Sequence, residues 1–287
     1  ETARAKVNLT LQVLGRRAGD GYHRLASLIV FADIGDDVVL TPDDRWSVKV
    51  SGPTAGDIAG PNLAEMALQR AKARWPGLVG GHIEIEKRLP VAAGIGGGSA
   101  DAGAVLRLLR HANQDVGTDG EWLSLAGGLG ADVPICFLNR AAWVCGIGDV
   151  IAPVRDVPSL HGVLVNPCAD VPADKTRQVF SALAVPTIAD DVNEPPCPDV
   201  AGSSVEVVHA IRQCGNDLEQ AAISVVPAMV DVLAALRGHK ACKVAMPSGA
   251  GPTCFAICAD KVSADDLVEE LATRQPSWWA RPCQLGC

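Results

Sequence analysis

Residues 90–109, "PVAAGIGGGSADAGAVLRLL", constrain this chain more than any other stretch, because four glycines in five positions (Gly94, Gly96, Gly97 and Gly98) run directly into a helical pattern. Ala102, Val105, Leu106 and Leu109 recur at i, i+3, i+4 and i+7, one apolar stripe of a helix. Ser99 is the predicted N-cap, with Asp101 in the first turn. Glycines ahead of a helix N-terminus allow positive φ and close approach of a ligand to the backbone. The unpaired N–H groups and the helix dipole favour an anion there. A glycine-rich segment can also be only a turn, but the capped helix behind this one points to phosphate. No Gly-Lys pair occurs in the chain, which excludes a Walker loop. Counted from Gly94 and Gly96, the third glycine of a dinucleotide fingerprint is replaced by Ser99. The sequence therefore predicts a phosphate cradle of another type.

A chain of 287 residues suits one large domain or two of ordinary size. Its net charge of −8 and the absence of a basic stretch argue against a nucleic-acid partner, and any anion has to be held by local donors. The N-terminal "ETARAKVNLT" has no apolar signal core and no apolar run reaches membrane length, so a cytoplasmic protein with no membrane partner is expected. Of ten cysteines none forms a C-x-x-C pair, and the six histidines form no H-E-x-x-H. Reduced, buried thiols are expected, and no metal site made by protein alone.

Along the chain, "KVNLTLQVL" (6–14) reads as a strand, "RRAGDGYHRL" as a turn, and "ASLIVFADI", "DDVVLTP", "WSVKVSG" and "IEIEKRLP" as further strands. "NLAEMALQRAKARW" reads as a helix with Asn62 as N-cap, 121–129 as a short helix, and "AAWVCGIGDVIAPV" as a hairpin. A change of character near 155 predicts two domains, 1–155 and 156–287. In the second, "HGVLVNP" is a strand, "DKTRQVFSAL" a helix, and 185–204 a loop. Helices follow near 205–213, 216–223 and 227–236, then strand, glycine loop and strand in "KVAMPSGAGPTCFAICAD". "SADDLVEELAT" is a last helix with Ser263 as N-cap. Strands and helices do not alternate strictly, so the class is α+β.

Several residues are candidates for chemistry. The second glycine loop, "PSGAGPT" (247–253), combines small residues with hydroxyls at a strand end. Asp132 in "GLGADVP" is either a turn aspartate or a general base that reaches a substrate hydroxyl. Lys6 and Asn8 lie two apart on one strand and face the same side, which is either a solvated face or part of a site. Tyr22, the only tyrosine, adjoins His23 in a glycine-bounded turn. The pair either caps the turn or offers a stacking ring and an imidazole to a base or sugar.

These motifs together resemble the GHMP small-molecule kinases: "PVAAGIGGGSADA" their central phosphate motif, "PSGAGPT" their C-terminal glycine motif. "AKVNLTLQVLGRRAGDGYHRL", "GADVP", "TRQVF" and "GNDLE" narrow the resemblance to the branch that acts on a cytidine diphosphate conjugate of methylerythritol in the non-mevalonate isoprenoid pathway. The resemblance implies a two-domain α+β GHMP kinase fold, with an N-terminal domain like domain 2 of ribosomal protein S5 and a ferredoxin-like C-terminal domain. It also implies ATP as phosphoryl donor, with Mg²⁺ carried by the nucleotide. ATP phosphates would lie along Pro90, Val91, Ala92, Ala93, Gly94, Ile95, Gly96, Gly97, Gly98, Ser99 and Ala100, with Ser248 and Gly249 also on the nucleotide and Asn62 in the adenosine pocket. Asp132 would take the proton of the substrate's 2-hydroxyl, and Lys6 would hold Asp132 ionised. Asn8 would touch substrate, and Tyr22, His23 and Phe180 would recognise cytosine. The expected assembly is a monomer or weak homodimer. Two alternatives stay open: a GHMP kinase of homoserine, mevalonate or a sugar, and a non-catalytic sensor on the same fold. Ala250 stands where the family commonly has a second serine, "VPADKTRQVF" departs from its usual Ser-Thr segment, and the tail "RQPSWWARPCQLGC" does not resemble its closing strand.

Overall fold

The structure is a computed structural model that describes residues 1–57, 62–189 and 193–286. In chain order the first half comprises β1 (Thr2–Asn8), β2 (Gln12–Arg17), β3 (His23–Pro42), β4 (Ser47–Ser51), α1 (Leu63–Arg74), β5 (Gly81–Glu86), α2 (Gly97–Ala112), α3 (Asp119–Gly127) and α4 (Val133–Leu138). The second half comprises β6 (Ala142–Cys145), β7 (Val150–Pro153), β8 (Leu160–Asn166), α5 (Lys175–Ser181), β9 (Thr187–Ile188) and α6 (Ser204–Cys214). It ends with α7 (Glu219–Val225), α8 (Met229–Gly238), β10 (Cys242–Pro247), β11 (Cys254–Cys258), α9 (Lys261–Arg274) and β12 (Trp279–Leu285). The chain forms two compact units, each drawn from separate stretches: Glu1–Lys6, Ile34–Val91 and Gly96–Asn139 in one; Val7–Asp33, Ala92–Ile95 and Arg140–Cys287 in the other.

In the first unit the later half of β3 pairs antiparallel with β5, from Asp37 opposite Glu86 to Pro42 opposite Gly81, and β4 joins β5 in parallel. Ile83 and Ile85 are buried while Glu84 and Glu86 are exposed, the period-two signature of a strand with one wet face. The α1 cap is as expected: Asn62 Oδ1 accepts from Ala64 N at 2.9 Å. Ala64, Ala67, Leu68 and Ala71 then make its buried stripe. The stripe of α2 is likewise fully buried at Ala102, Val105, Leu106 and Leu109, and α2 packs against α1 and α4. Each Leu or Val so buried contributes roughly 1.5–3 kcal/mol.

In the second unit an antiparallel set runs β10–β11–β8–β12, and β12 reaches the first half of β3 through Leu285 opposite Ala32. Val163 and Val165 of β8, Met229, Leu233 and Leu236 of α8, and Leu267 and Leu271 of α9 belong to one core. β6 and β7 form the expected hairpin.

Five local expectations are corrected. The strand over 6–14 divides into β1 and β2, because the carbonyl and hydroxyl of Thr10 bond with Ser27 and Leu28 and break the run. The two strands read at 26–34 and 36–42 are one twenty-residue strand, since Asp36 turns inward to Lys87 and makes no turn. Ser99 is not the α2 cap: Gly96 is, at φ 69°, and Ser99 lies inside the first turn, while Asp101 is buried instead of standing at the helix mouth. Asp260 caps α9, accepting from Ser263 N at 2.8 Å, so the cap lies three residues before Ser263. The tail is a strand after all: β12 pairs with β8 at seven successive positions, from Trp279 opposite Asn166 to Leu285 opposite Leu160. Within the loop read at 185–204, Thr187–Ile188 forms a short parallel contact with β2, and 190–192 lie outside the described residues.

Candidate active site

Within the second unit, Ala92–Gly94 run along the second glycine loop, and their three consecutive carbonyls are all occupied from that side. Ala92 O accepts from Lys175 Nζ at 3.3 Å, Ala93 O from Thr253 N at 3.0 Å, and Gly94 O from Ser248 Oγ at 3.3 Å. A planar trans peptide points its N–H opposite to its C=O. The amides of Ala93, Gly94 and Ile95 are thus turned the other way, as a backbone anion cradle requires. Close approach makes glycine obligatory at 94: φ is +78°, and a Cβ would stand 2.3 Å from Gly251 O. Ala92 adopts φ +54° without that freedom, a conformation that costs an L-residue about 1–2 kcal/mol. Asn216 Nδ2 donates to Pro247 O and Gly249 O, both at 2.9 Å, and fixes the second loop. Asn8 N donates to Ser248 Oγ at 3.2 Å, and its side chain donates to Ser27 Oγ at 2.8 Å.

In the first unit, Gly96 turns the chain into α2, and Ala100 N bonds back to Gly96 O at 2.7 Å. Lys6 is 5% exposed and places Nζ 3.4 Å from Asp132 Oδ1. Asp132 stands at the N-cap of α4 yet makes no side-chain cap bond, and its side chain is half exposed. A buried amino group thus faces a carboxylate that is open to solvent and not engaged in capping. Cys136, one turn further along, is inert: burial first, then the Asp132 charge, pushes its thiol up to about 12.

Beneath the start of α2 lies a second charged group. Lys87 Nζ bonds to Asp36 Oδ2 and, at 2.7 Å, to Asp101 Oδ2, and all three side chains are buried. Asp36 Oδ1 also accepts from Arg88 N at 2.6 Å and Leu89 N at 2.8 Å, which fixes the approach to Pro90. Burial raises Asp101 to about 7; Lys87 pulls it down and Asp36 pushes it up again. Asp101 Oδ1 is buried with no hydrogen-bond partner.

His23 and Phe180 of the second unit form a ring pair, centroids 5.0 Å apart and tilted by 36°. Burial, then the Arg16 charge, lowers the His23 pKa, so near neutrality the imidazole offers one donor and one acceptor. Tyr22 does not join this pair; it is 62% exposed, on a turn held by Tyr22 N to Asp20 Oδ1 at 3.0 Å.

The structure thus brings together Lys6 with Asp132, His23 with Phe180, and Ser248 with Gly94 and Asn8. Asn62 serves as the α1 cap. Gly97 and Gly98 lie in the first turn of α2, where a Cβ on Gly97 would point inward to Lys87 Nζ at 3.6 Å and one on Gly98 would meet only Leu63 at 3.8 Å. Sequence reasoning missed Lys175, Thr253, Asn216 and the Asp36–Lys87–Asp101 group. Asn216 and Thr253 had a signal, their places in "GNDLE" and "PSGAGPT", but neither motif named the group each residue meets.

Comparison with known proteins gives the family. The family profile "GHMP kinases N terminal domain" matches residues 62–140, and "GHMP kinases C terminal" matches 201–276. The 4-diphosphocytidyl-2-C-methyl-D-erythritol kinase of Roseobacter denitrificans is 42% identical over 99% of this chain and 92% of its own length. The protein of that name from Caulobacter vibrioides is 42% identical over 99% of this chain and 98% of its own. A crystal structure of 4-(cytidine 5'-diphospho)-2C-methyl-D-erythritol kinase superposes with a TM-score of 0.75 at 30% identity, covering 100% of this chain and 99% of that one. Homoserine kinase from Cytophaga hutchinsonii, at 17% identity and TM-score 0.65 over 98% of this chain and 94% of that one, shares the two-domain fold. On full-length identity, both family profiles and the shared α+β architecture, the chain belongs to the 4-diphosphocytidyl-2-C-methyl-D-erythritol kinase family of the GHMP kinases.

Proposed function

We propose that this protein transfers the γ-phosphoryl group of ATP to the 2-hydroxyl of 4-diphosphocytidyl-2-C-methyl-D-erythritol. The observation that carries the reading is the Asp132 carboxylate, unused in capping and 3.4 Å from the buried Lys6 Nζ. In the reaction the hydroxyl proton passes to Asp132, the oxygen bonds to the γ-phosphorus, and the bond to the bridging oxygen breaks to leave ADP. Phosphoryl transfer asks chiefly for positioning and charge neutralisation. The amides of Ala93, Gly94 and Ile95 contribute to the first. Among the described residues no group of three acidic, imidazole or thiol side chains could hold a metal. In this reading Mg²⁺ would be carried by the nucleotide and would supply charge neutralisation at the phosphates.

His23 and Phe180 favour a substrate with a base over homoserine, mevalonate or a sugar, because the imidazole edge and the phenyl face suit a planar heterocycle. Lys6 and Asp132 in contact favour turnover over a sensor. We further place the protein in the cytoplasm as a monomer or weak homodimer. The test is ATP consumption against a panel of alcohols: the cytidylyl conjugate, homoserine, mevalonate and galactose. Turnover with the conjugate alone is expected. Turnover with another alcohol instead, or ATP binding without turnover on any, defeats the proposal.

A further inference from the structure

α5 carries Phe180, which faces His23, at its far end; its first residue, Lys175, does something the chemistry above leaves unused. Lys175 is 6% exposed, and its Nζ donates to the carbonyls of Ala92 and Gly251, one in each glycine loop. Ala92 is the loop residue held at positive φ without being glycine. Such a conformation persists only where the surroundings over-determine it. A bond to Ala92's own carbonyl fixes the ψ of that residue, and with it the plane of the next peptide. That peptide carries the Ala93 amide. Thr253 N and Ser248 Oγ hold the two following carbonyls in the same sense. Thr253 and Ser248 belong to the second loop and tie it to the first directly, whereas Lys175 reaches both loops from α5 and bonds a carbonyl of each.

We propose that Lys175 is a positioning residue for the triphosphate: it ties the first glycine loop to the second and keeps the Ala92 and Gly251 carbonyl oxygens turned away from the phosphates. The inference rests on the ATP site proposed above. Without the amino group, Ala92 relaxes from its left-handed conformation and turns a carbonyl dipole toward the anion. The effect is expected in phosphate recognition, because the peptide that Lys175 holds carries the Ala93 amide of the proposed cradle.

The test compares Lys175→Met, which keeps the stem and loses the donor, with Lys175→Gln, which keeps one neutral donor. Binding of ATP and of adenosine to each purified protein is titrated by calorimetry, with a melting curve alongside. Lys175→Met is expected to weaken ATP at least tenfold and adenosine less than twofold, with the Michaelis constant for the cytidylyl alcohol unchanged. Lys175→Gln is expected to recover part of the ATP affinity. ATP affinity within twofold of wild type in Lys175→Met overturns the proposal, and so does an equal loss of ATP and adenosine. If the methionine variant does not fold, Lys175→Gln alone decides: selective loss of ATP relative to adenosine supports the clamp, and its absence overturns it. Wild-type protein that binds ATP yet leaves the alcohol unphosphorylated defeats the substrate assignment, while the ATP-against-adenosine contrast still decides for or against Lys175.

Discussion

Replacing Asp101 by Asn tests the charged group beneath α2. Two buried carboxylates, Asp36 and Asp101, share the single Lys87 amino group. Burial holds Asp101 at about 7, with Asp36 adding to the rise and Lys87 offsetting part of it. The folded value lies above the ordinary carboxylate value of about 3.9, so the native state binds this proton more tightly than the unfolded chain. The associated stability is present below about pH 4 and is lost as pH rises through about 7. At about 1.36 kcal/mol per pKa unit, the loss reaches a few kcal/mol by pH 8 and is less than half of that at pH 5. Asparagine mimics the protonated acid, with an amide that can donate to Asp36 at every pH. Asp101→Asn is therefore expected to gain on wild type by roughly 3 kcal/mol more at pH 8 than at pH 5. Urea unfolding with linear extrapolation at both pH values measures the difference. A stability change equal at the two pH values, within about 0.5 kcal/mol, would show that Asp101 does not titrate in the folded protein.

Three further outcomes concern the site. Asp132→Asn is expected to cut turnover about 100-fold or more while ATP still binds, since a positioned base contributes on that scale; near-normal turnover of the folded variant removes the assignment. His23→Ala, at the turn, and Phe180→Ala are each expected to raise the Michaelis constant for the cytidylyl alcohol, the second by roughly 5- to 150-fold for one lost stacking contact, with the ATP constant unmoved. A rise confined to the ATP constant would show that this turn serves the nucleotide. Gly94→Ala, which sets a Cβ 2.3 Å from Gly251 O, is expected to lower both thermal stability and ATP affinity. Gly97→Ala, whose Cβ meets its nearest neighbour at 3.6 Å, is expected to leave stability near wild type in the same melting and calorimetric measurements.

Local patterns made much of this molecule legible. Asn62 announces α1 because an amide oxygen two residues before a backbone N–H is a short-range device. The α2 stripe is visible because burial of Leu106 and Leu109 imposes the helical period on the sequence itself. The start of α2 is not legible in the sequence, because Gly96, Gly97 and Gly98 carry no side chain to mark it and only the backbone φ at Gly96 does. The tail was unreadable as a strand for a different reason. Its partners are β8, at seven positions more than a hundred residues earlier, and β3 at Leu285, and no local period reports a partner.

The candidate site divides in the same way. By itself, the amino-acid sequence determined that an anion-type loop precedes a helix, that Asp132, Lys6, His23 and Phe180 are present in a kinase-like pattern, and which family those motifs resemble. Only the tertiary structure decided that Asp132 faces Lys6 instead of capping α4, that Tyr22 stands apart from the His23–Phe180 pair, and that Asp101 is a buried acid. It alone brought Lys175 to the Ala92 and Gly251 carbonyls, across 83 and 76 residues of chain. The physical reason is range. Capping, periodicity and glycine conformation act within one or two turns and leave a trace in neighbouring letters. Where a charge is buried, and which carbonyl a lysine meets, depend on segments that fold together from distant parts of the chain.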